Sequence, residues 1–517
     1  MEVKNTRSKN QQLMINIVAQ LLSFGVNIGI GFFLTPYIIK TVGSTAYGFV
    51  GLANNFVSYV QILTIALNSM AGRFIAISYY KDKMEDVKKY YTSVLFANLF
   101  IALVLSVPIT LVLIYLDRLV NVPMELLSDV RVLWALLFGT MLISIIGSIF
   151  NNAAYVKNRL ELVSLRTIES NIIKAALLIG TFSLLYPRIW YVGLASLICA
   201  LYVICINVYY TKKLMPFVEI KRKYFDFAKI KELVVSGVWN SISQLGSILS
   251  TGLDLLITNL FVGAGPMGIV SVSKTIPTYV QSLFITVSSV FAPQLTISYA
   301  QDDADDIKKQ LATAMKIMGL FASIPIAIIA SYGEDFYRLW TPTQKSKVLM
   351  LLTCAAVLEY PVSLLVYPLE NVFATTNKVK ISSLTTICCS LCSCATVFLL
   401  VPRVDSELEK MLVVVGVSCF YNLVKNTVLI PQFCARILKI EARFFYQIIG
   451  KSVISTIVLV VISLFFKSQY SAGTWMGLVL VAFLIAGIGL CINISFQLNK
   501  QDREILWKRI KSKLHRG

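Results

Sequence analysis

The chain lacks the residues on which most soluble catalysis depends. It contains one histidine, His515, among 517 residues, and only 14% of its residues are charged. Histidine is the most frequent general acid or base in enzymes, and with a single histidine in its tail the chain lacks an obvious catalytic constellation. The segment Gly43–Gly48 has phosphate-loop spacing, but Phe49 follows where that loop requires lysine. We therefore expect a protein that is not an enzyme and that needs no cofactor.

Disulfide bonds and a metal site are also poorly supported. All ten cysteines lie inside or at the ends of apolar segments. The cluster Cys388, Cys389, Cys392 and Cys394 admits a metal interpretation, but it lacks a second pair of ligands. We therefore interpret these cysteines as small packing residues within a helix.

Long apolar runs dominate the remainder of the sequence. The chain is 57% hydrophobic, and its apolar residues form runs of roughly twenty, the length that crosses a bilayer as a helix. The sequence predicts an all-α integral membrane protein with about fourteen transmembrane helices. The predicted spans lie near residues 13–38, 47–70, 91–116, 132–156, 162–185, 189–211, 233–262, 267–293, 311–332, 348–373, 381–402, 409–432, 446–466 and 474–497.

The net charge of +20 is typical of proteins that bind nucleic acid or an anionic membrane surface. Basic residues are concentrated in alternate connecting segments, such as Lys81–Lys89 and Lys212–Lys231, and are sparse in the segments between them. This alternation follows the positive-inside rule. It predicts a multi-pass protein of the bacterial cytoplasmic membrane with both termini in the cytoplasm and with no nucleic-acid partner.

An internal repeat organises the chain. A shift of 220 residues aligns Ile77–Lys89 with Ile297–Lys309 and places Gly43 and Gly48 on Gly263 and Gly268. Two pseudo-symmetric bundles of six helices follow from this shift, with both bundles in the same orientation. The predicted domains are residues 1–215, residues 216–435, and residues 436–517, which hold two further helices and a basic amphipathic tail helix over Gln501–Leu514.

Polar side chains recur on matching faces of the duplicated helices. In the predicted second and eighth helices, Asn54, Ser58, Gln61 and Asn68 match Lys274, Thr278, Gln281 and Ser288 under the same shift. Asn240 and Gln244 belong to a stripe on the seventh helix that continues to Asp254, and the first helix carries Gln20, Ser23 and Asn27. Such stripes predict a hydrophilic cavity lined by the first, second, seventh and eighth helices. The alternative is hydrogen bonding between helices.

Ionisable residues inside predicted spans are the candidates for ligand binding. Lys274 lies on the polar stripe, where it either binds a ligand or neutralises Asp254. Arg73 ends the second helix, where it either binds a ligand or anchors the helix at the interface. The sequence does not indicate which way Lys174, Glu359 and Lys425 face.

The stretch Leu34–Gly43, followed by Ala46–Gly48, resembles the first-helix signature of bacterial oligosaccharide flippases. These Wzx-like proteins are the polysaccharide-export branch of the multidrug/oligosaccharidyl-lipid/polysaccharide (MOP) superfamily. Further similarity lies at Leu253–Asp254, Phe261–Gly263 with Gly268, and Phe291–Pro293. The lipid-linked peptidoglycan-precursor flippases of this superfamily carry arginines in the first helix, whereas this chain has none between Met14 and Ile39.

The resemblance implies a fold shared with multidrug transporters and movement of undecaprenyl-pyrophosphate-linked oligosaccharide by alternating access. It implies a role in O-antigen, capsule or related polysaccharide assembly, with other membrane proteins of that assembly as possible partners. The pyrophosphate partner stays open among Arg73, Lys274, Lys174 and Lys425. Competing interpretations are a multidrug or cation antiporter of the same fold and a membrane glycosyltransferase, polymerase or ligase.

Overall fold

The computed structural model describes residues 9–498, with gaps at residues 252, 290, 292–294, 296–297, 300–302 and 377. Every regular element within these described residues is helical. The predicted tail helix over Gln501–Leu514 and the motif residues Ala292 and Pro293 lie outside them. The α-helices are α1 (Lys9–Val42), α2 (Ser44–Tyr80), α3 (Met84–Ile114), α4 (Leu116–Leu119), α5 (Leu127–Gly147), α6 (Asn152–Val156), α7 (Leu160–Leu184), α8 (Tyr191–Leu214), α9 (Phe227–Thr251), α10 (Leu253–Phe261), α11 (Ala264–Ser273), α12 (Thr275–Ser289), α13 (Ala304–Trp340), α14 (Ser346–Val357), α15 (Tyr360–Thr375), α16 (Val379–Leu400), α17 (Glu407–Val424), α18 (Ile430–Leu438), α19 (Ala442–Gln469) and α20 (Trp475–Gln497).

Shorter helical turns connect some of these helices. A π-helical turn joins α17 to α18, and the others are 3₁₀ turns. The turns span Met124–Leu126, Ser148–Asn151, Arg222–Tyr224, Val401–Arg403 and, for the π-helix, Lys425–Leu429.

Ten helices among the described residues are long and apolar enough to cross a bilayer, or eleven if the bent pair α14 and α15 counts as one span. The all-α membrane fold is thereby confirmed, whereas the count of fourteen stays a prediction. The three predicted spans that do not meet this test are 162–185, 233–262 and 267–293, which correspond to α7, to α9 with α10, and to α11 with α12. All three carry polar or charged residues, and the last is divided at Lys274.

The chain folds into two compact units. Unit 1 comprises Met1–Ile248 with Gly263–Gly268, and unit 2 comprises Leu249–Val262 with Ile269–Gly517. The boundaries that the repeat predicts, at residues 215 and 435, stay predictions about the duplication.

Unit 1 is built from α1 to α8 and most of α9. Within it α1 packs on α7, α5 packs on α8, and α2 packs on α3 and α5. A buried cluster that includes Leu67, Ile75 and Tyr91 joins α2 to α3. Helix α9 is attached to α3, because the Tyr90 hydroxyl donates a hydrogen bond to Glu232 on α9 at 2.8 Å.

Unit 2 is organised around α13, which packs against α14, α15, α19 and α20. Its core includes Met315, Leu365 and Phe445. Buried Asp335 on α13 forms ion pairs with Lys467 and Arg338 and accepts a hydrogen bond from the Ala472 backbone at 2.9 Å. This carboxylate therefore attaches the connection between α19 and α20 to α13. Its buried charge is compensated by the two cations.

The glycines aligned by the repeat adopt matching backbone conformations. Gly43 and Gly263 have positive φ angles of 87° and 128°, and each immediately precedes a helix. The carbonyl of each accepts a 3.1 Å hydrogen bond from the residue four positions later. Positive φ is accessible to glycine at little steric cost, which explains why this residue occupies both turns. Gly48 and Gly268 lie so close that a Cβ atom on Gly48 would be 2.8 Å from the Gly268 Cα.

Candidate functional site

A polar cavity in unit 2 contains several of the predicted site residues. It has a volume of about 100 Å³, enough for several water molecules. Its walls come from α10, the junction of α11 and α12, the junction of α14 and α15, and α17. The residues that line it are Asp254, Lys274, Pro277, Thr278, Gln281, Ala356, Glu359, Tyr360, Val415, Ser418, Cys419 and Asn422.

Three of the four charged residues in or beside this cavity lie where a helix is interrupted or begins. Lys274 separates α11 from α12. Glu359 is the N-cap of α15, and Lys425 begins the π-helical turn. Carboxylates are favoured at helix N-termini by the exposed backbone N–H groups. π-Helical turns often mark functional sites.

Prolines account for two of these interruptions. Pro277 has no N–H group to bond the carbonyl four residues earlier, that of Ser273, and α11 ends at Ser273. The Thr353 hydroxyl instead donates to that carbonyl at 3.0 Å. Pro361 acts in the same way on Val357, where α14 ends, and the axes of α14 and α15 differ by 43°. The prolines thus position Lys274 and Glu359 at helix junctions.

The Lys274 ammonium group forms an ion pair with Asp254. The side chain of Asp254 is only 7% exposed, and its second oxygen accepts a 2.8 Å hydrogen bond from the Ser418 hydroxyl. Both oxygens of this buried carboxylate therefore have partners. The side chain of Lys274 is 23% exposed, so the ammonium group is the more accessible member of the pair.

Amide and phenol groups continue the polar wall. The Gln281 amide donates to the Tyr367 hydroxyl at 2.8 Å, and the Tyr360 hydroxyl donates to the Pro277 carbonyl at 2.9 Å. These bonds connect α12 to α15 across the cavity. The Thr278 hydroxyl donates to the Lys274 carbonyl at 2.8 Å within its own helix.

Glu359 contributes a second buried carboxylate. It interacts electrostatically with Lys425 and Lys274 and lies beside Asn426. Its Oε2 atom is buried without a hydrogen-bond partner among the described residues. Asp254, Glu359, Lys274 and Lys425 together bring two carboxyl groups and two ammonium groups into or beside one cavity.

The predicted residues of unit 1 have varied environments. Asn54, Arg73 and Gln244 are exposed, Gln61 is half-buried, and the Asn240 amide donates to Ser69 on α2 at 3.0 Å. Asn240 therefore hydrogen-bonds to another helix, which is the alternative to lining a cavity. Asn68 likewise bonds to another helix, because it exchanges 3.0 Å hydrogen bonds with Asn98 on α3.

Two further cavities lie within unit 1. The stripe of α1 lines one of about 300 Å³, in which Gln20, Ser23 and Asn27 face α7. Lys174 lines the other, of about 320 Å³, between α5, α7 and α8. Lys174 therefore lines a cavity of unit 1, whereas Lys274, Asp254 and Gln281 line the cavity of unit 2.

Residues of the unit 2 cavity that the sequence interpretation missed include Ser418, Asn422 and Tyr360. Ser418, Asn422 and Lys425 recur at intervals of four and three residues, which puts them on one face of a helix. That spacing indicates a polar face on this helix, and Pro361 indicates a helix junction next to Tyr360, so both features could have been read from the sequence.

Comparison with known proteins identifies the family. The model of the family described as "Polysaccharide biosynthesis protein" matches residues 13–298. The chain belongs to this family. The chain is similar in sequence to the "uncharacterized membrane protein EpsK" of Bacillus subtilis (strain 168), with 29% identity over 84% of this chain and 86% of that protein.

Solved structures show that this family member has the fold of the MOP superfamily. The lipid II flippase MurJ in its inward closed conformation matches with a TM-score of 0.67 at 12% identity, over 93% of this chain and 99% of its own. An inward-facing multidrug resistance MATE family transporter of the MOP superfamily matches with a TM-score of 0.64 at 14% identity, over 82% of this chain and 99% of its own. The family and the superfamily fold expected from the sequence are both confirmed. Neither structural neighbour is named as a catalyst.

Proposed function

We propose that this protein is a flippase that moves an undecaprenyl-pyrophosphate-linked oligosaccharide from the cytoplasmic to the outer leaflet. It acts by alternating access in the bacterial cytoplasmic membrane, with both termini in the cytoplasm. The product would serve O-antigen, capsule or related polysaccharide assembly. Support comes from membership of the polysaccharide biosynthesis family and from the fold shared with a lipid II flippase.

The observation that carries this proposal is the partly exposed ammonium group of Lys274 in a polar cavity of unit 2. A pyrophosphate needs a cationic partner, and a charge-assisted hydrogen bond is among the stronger polar contacts in proteins. Lys274 offers that bond when it exchanges Asp254 for a phosphate oxygen. The volume of about 100 Å³ has room for a phosphate group and not for an oligosaccharide, so the sugars lie outside this cavity.

The other predicted contacts are assigned by their chemistry. In this proposal Asp254 holds Lys274 in place between transport cycles, and Gln281 bonds the phosphate or the first sugar. Asn54, Gln61, Asn240 and Gln244 offer amide groups to sugar hydroxyls. Arg73 and Lys425 are further candidates for the pyrophosphate.

The test is translocation of a lipid-linked oligosaccharide between the leaflets of vesicles that contain the purified protein. We expect Lys274→Ala to reduce the rate at least tenfold, because a hydrogen bond to a charged group contributes about 1.5–3 kcal/mol. Lys274→Arg, which retains the charge, should keep most of the activity. The matched control is Lys451→Ala, which removes an exposed lysine from the spanning helix α19. Equal rates for Lys274→Ala and this control would refute the role of Lys274.

A multidrug or cation antiporter of the same fold is the second candidate. The specific observation in its favour is Glu359, a buried carboxylate with an unpartnered oxygen, which is suited to binding a proton or a cation. The same vesicles distinguish the two functions. Uptake of an organic cation driven by a proton or sodium gradient, without movement of the lipid-linked sugar, would favour the antiporter.

A further inference from the structure

We infer that the cavity around Lys174 in unit 1 binds a phosphate group carried by a lipid, at a site separate from the unit 2 cavity. The cavity lies between α5, the turn Ser148–Asn151, α7 and α8, and its volume is about 320 Å³. It is about three times as large as the cavity around Lys274, by comparison of the two volumes.

The first step is the charge of Lys174. No carboxylate among the described residues forms an ion pair with this ammonium group, and its ionisable neighbour is the thiol of Cys199. The next acid along α7, Glu169, is bonded to Arg166 at 2.6 Å and also accepts a hydrogen bond from Tyr202. An ammonium group in a membrane-spanning bundle is costly unless an anion compensates it. The protein itself supplies no such anion in the described part of this cavity.

The second step is a neighbouring donor. Asn171 precedes Lys174 by three residues on α7, so both side chains lie on one face of the helix. Its Nδ2 group is buried with no acceptor among the described residues. Two donors without acceptors, one of them charged, form a site for an anion with several oxygen atoms.

The third step concerns acceptors, which restrict the form of the anion. The hydroxyls of Ser144 and Ser196, which also line the cavity, donate to the carbonyls of Thr140 and Val192 at 2.7 and 2.8 Å. Their oxygen atoms are then left as acceptors. The ligand should therefore combine phosphate oxygens with a donor, such as a hydroxyl on the headgroup or a proton on a phosphate monoester.

The surroundings indicate that the phosphate is attached to a lipid. The helices that bound the cavity also expose large apolar side chains, including Ile172 at 54%, Ile198 at 39% and Leu201 at 46%. In a protein that spans the membrane, such side chains face acyl chains. Lys174 is fourteen residues from the start of α7 and ten from its end, or about 21 and 15 Å at 1.5 Å per residue.

This mid-membrane depth leaves two sources for the same chemistry. One is an anionic phospholipid that is drawn inward and held by the protein. The other is the phosphate of the transported carrier lipid, in which case the site is an intermediate position on its route. The second source rests on the proposed function, and the first does not.

The experiment measures lipid binding to the purified full-length protein by native mass spectrometry. The probes are phosphatidylglycerol and undecaprenyl phosphate. We expect Lys174→Gln to weaken binding of at least one probe roughly tenfold or more, as expected for loss of a bond to a charged group. Lys174→Arg should retain binding, and the control Lys451→Gln should bind both probes as the unchanged protein does.

The pattern of loss identifies the source. Weaker binding of both probes supports a general lipid-phosphate site, weaker binding of undecaprenyl phosphate alone supports a position on the transport route, and weaker binding of phosphatidylglycerol alone supports a bound phospholipid. Equal binding by Lys174→Gln and Lys451→Gln would overturn the proposal. A failure of the proposed function is distinguishable, because it would abolish translocation of the sugar lipid without changing binding of phosphatidylglycerol.

Thermal unfolding after removal of lipid by detergent separates this role from a structural one. Since Lys174 has no anionic partner in the described residues, Lys174→Gln should leave the midpoint unchanged or raise it. A lower midpoint would show that the lysine stabilises the fold and would contradict the proposal.

Discussion

Lys274 in unit 2 and Lys174 in unit 1 have opposite electrostatic environments, although both lie in polar cavities of membrane-spanning bundles. Lys274 is paired with Asp254, whose second oxygen is bonded to Ser418. Lys174 has no carboxylate partner among the described residues and lies beside an amide donor that also lacks an acceptor. In the first cavity a carboxylate pairs the lysine, whereas in the second we propose that a ligand supplies the anion. An ammonium group in a cavity therefore does not define a substrate site until its counterion is known.

The largest effect should come from breaking the pair in unit 2. Asp254→Asn leaves Lys274 without its carboxylate, and removal of one member of a buried ion pair costs about 3–5 kcal/mol. The more exposed position of Lys274 places the expected loss near the lower end of that range. The measurement is the free energy of unfolding in detergent.

The double variant Asp254→Asn with Lys274→Gln is the control for this pair. It should recover much of the lost stability, because neither charge is then left alone. If the double variant is as unstable as Asp254→Asn, the pair does not account for the stability of this region. The comparison with Lys174 would then lose its basis.

A smaller effect should follow removal of a single hydroxyl. Ser418→Ala deletes the 2.8 Å hydrogen bond to Asp254 and leaves a buried charged oxygen without that donor, at an expected cost of about 1.5–3 kcal/mol in unfolding free energy. Ser196→Ala in the unit 1 cavity removes a hydroxyl that bonds only its own helix backbone at 2.8 Å. That variant should change stability by less than about 0.5 kcal/mol. Similar losses in both would show that the two cavities are not electrostatically different.

Sequence periodicity predicted the faces of helices better than it predicted their partners. The match of Asn68 to Ser288 was recognised, but a shift of the sequence does not reveal that Asn68 bonds Asn98 on the next helix. The pairing of Lys274 with Asp254 was anticipated as an alternative, since Asp254 lies on the polar stripe of the predicted seventh helix and Lys274 on that of the eighth. Ser418 came from a helix 164 residues away in sequence, and its contact depends on packing.

The span count shows the same limit. Apolar length identifies helices that face lipid on most sides, and it is weakest for helices that carry polar and charged residues. α7 holds Lys174 and two acids, while α11 and α12 are separated at Lys274 by the effect of Pro277. Polar and charged residues lower the hydropathy by which a span is recognised. The predicted spans that do not meet the test of apolar length are therefore those that contribute Asp254, Lys274 and Lys174 to the two cavities.

The smallest effect on stability, with a clear effect on function, is expected from Pro277→Ala. The alanine N–H group can bond the Ser273 carbonyl in place of the Thr353 hydroxyl. This new bond should join α11 to α12 as one continuous helix and move Lys274 away from Asp254. The new helix bond and the weakened ion pair oppose each other, so the unfolding free energy should change by less than about 1 kcal/mol. Translocation of the lipid-linked sugar should nevertheless fall several-fold, while phosphatidylglycerol binding at the Lys174 cavity stays unchanged.

The matched control is Pro325→Ala, in the interior of α13. Equal translocation by the two variants would mean that the helix junction at Lys274 has no part in transport.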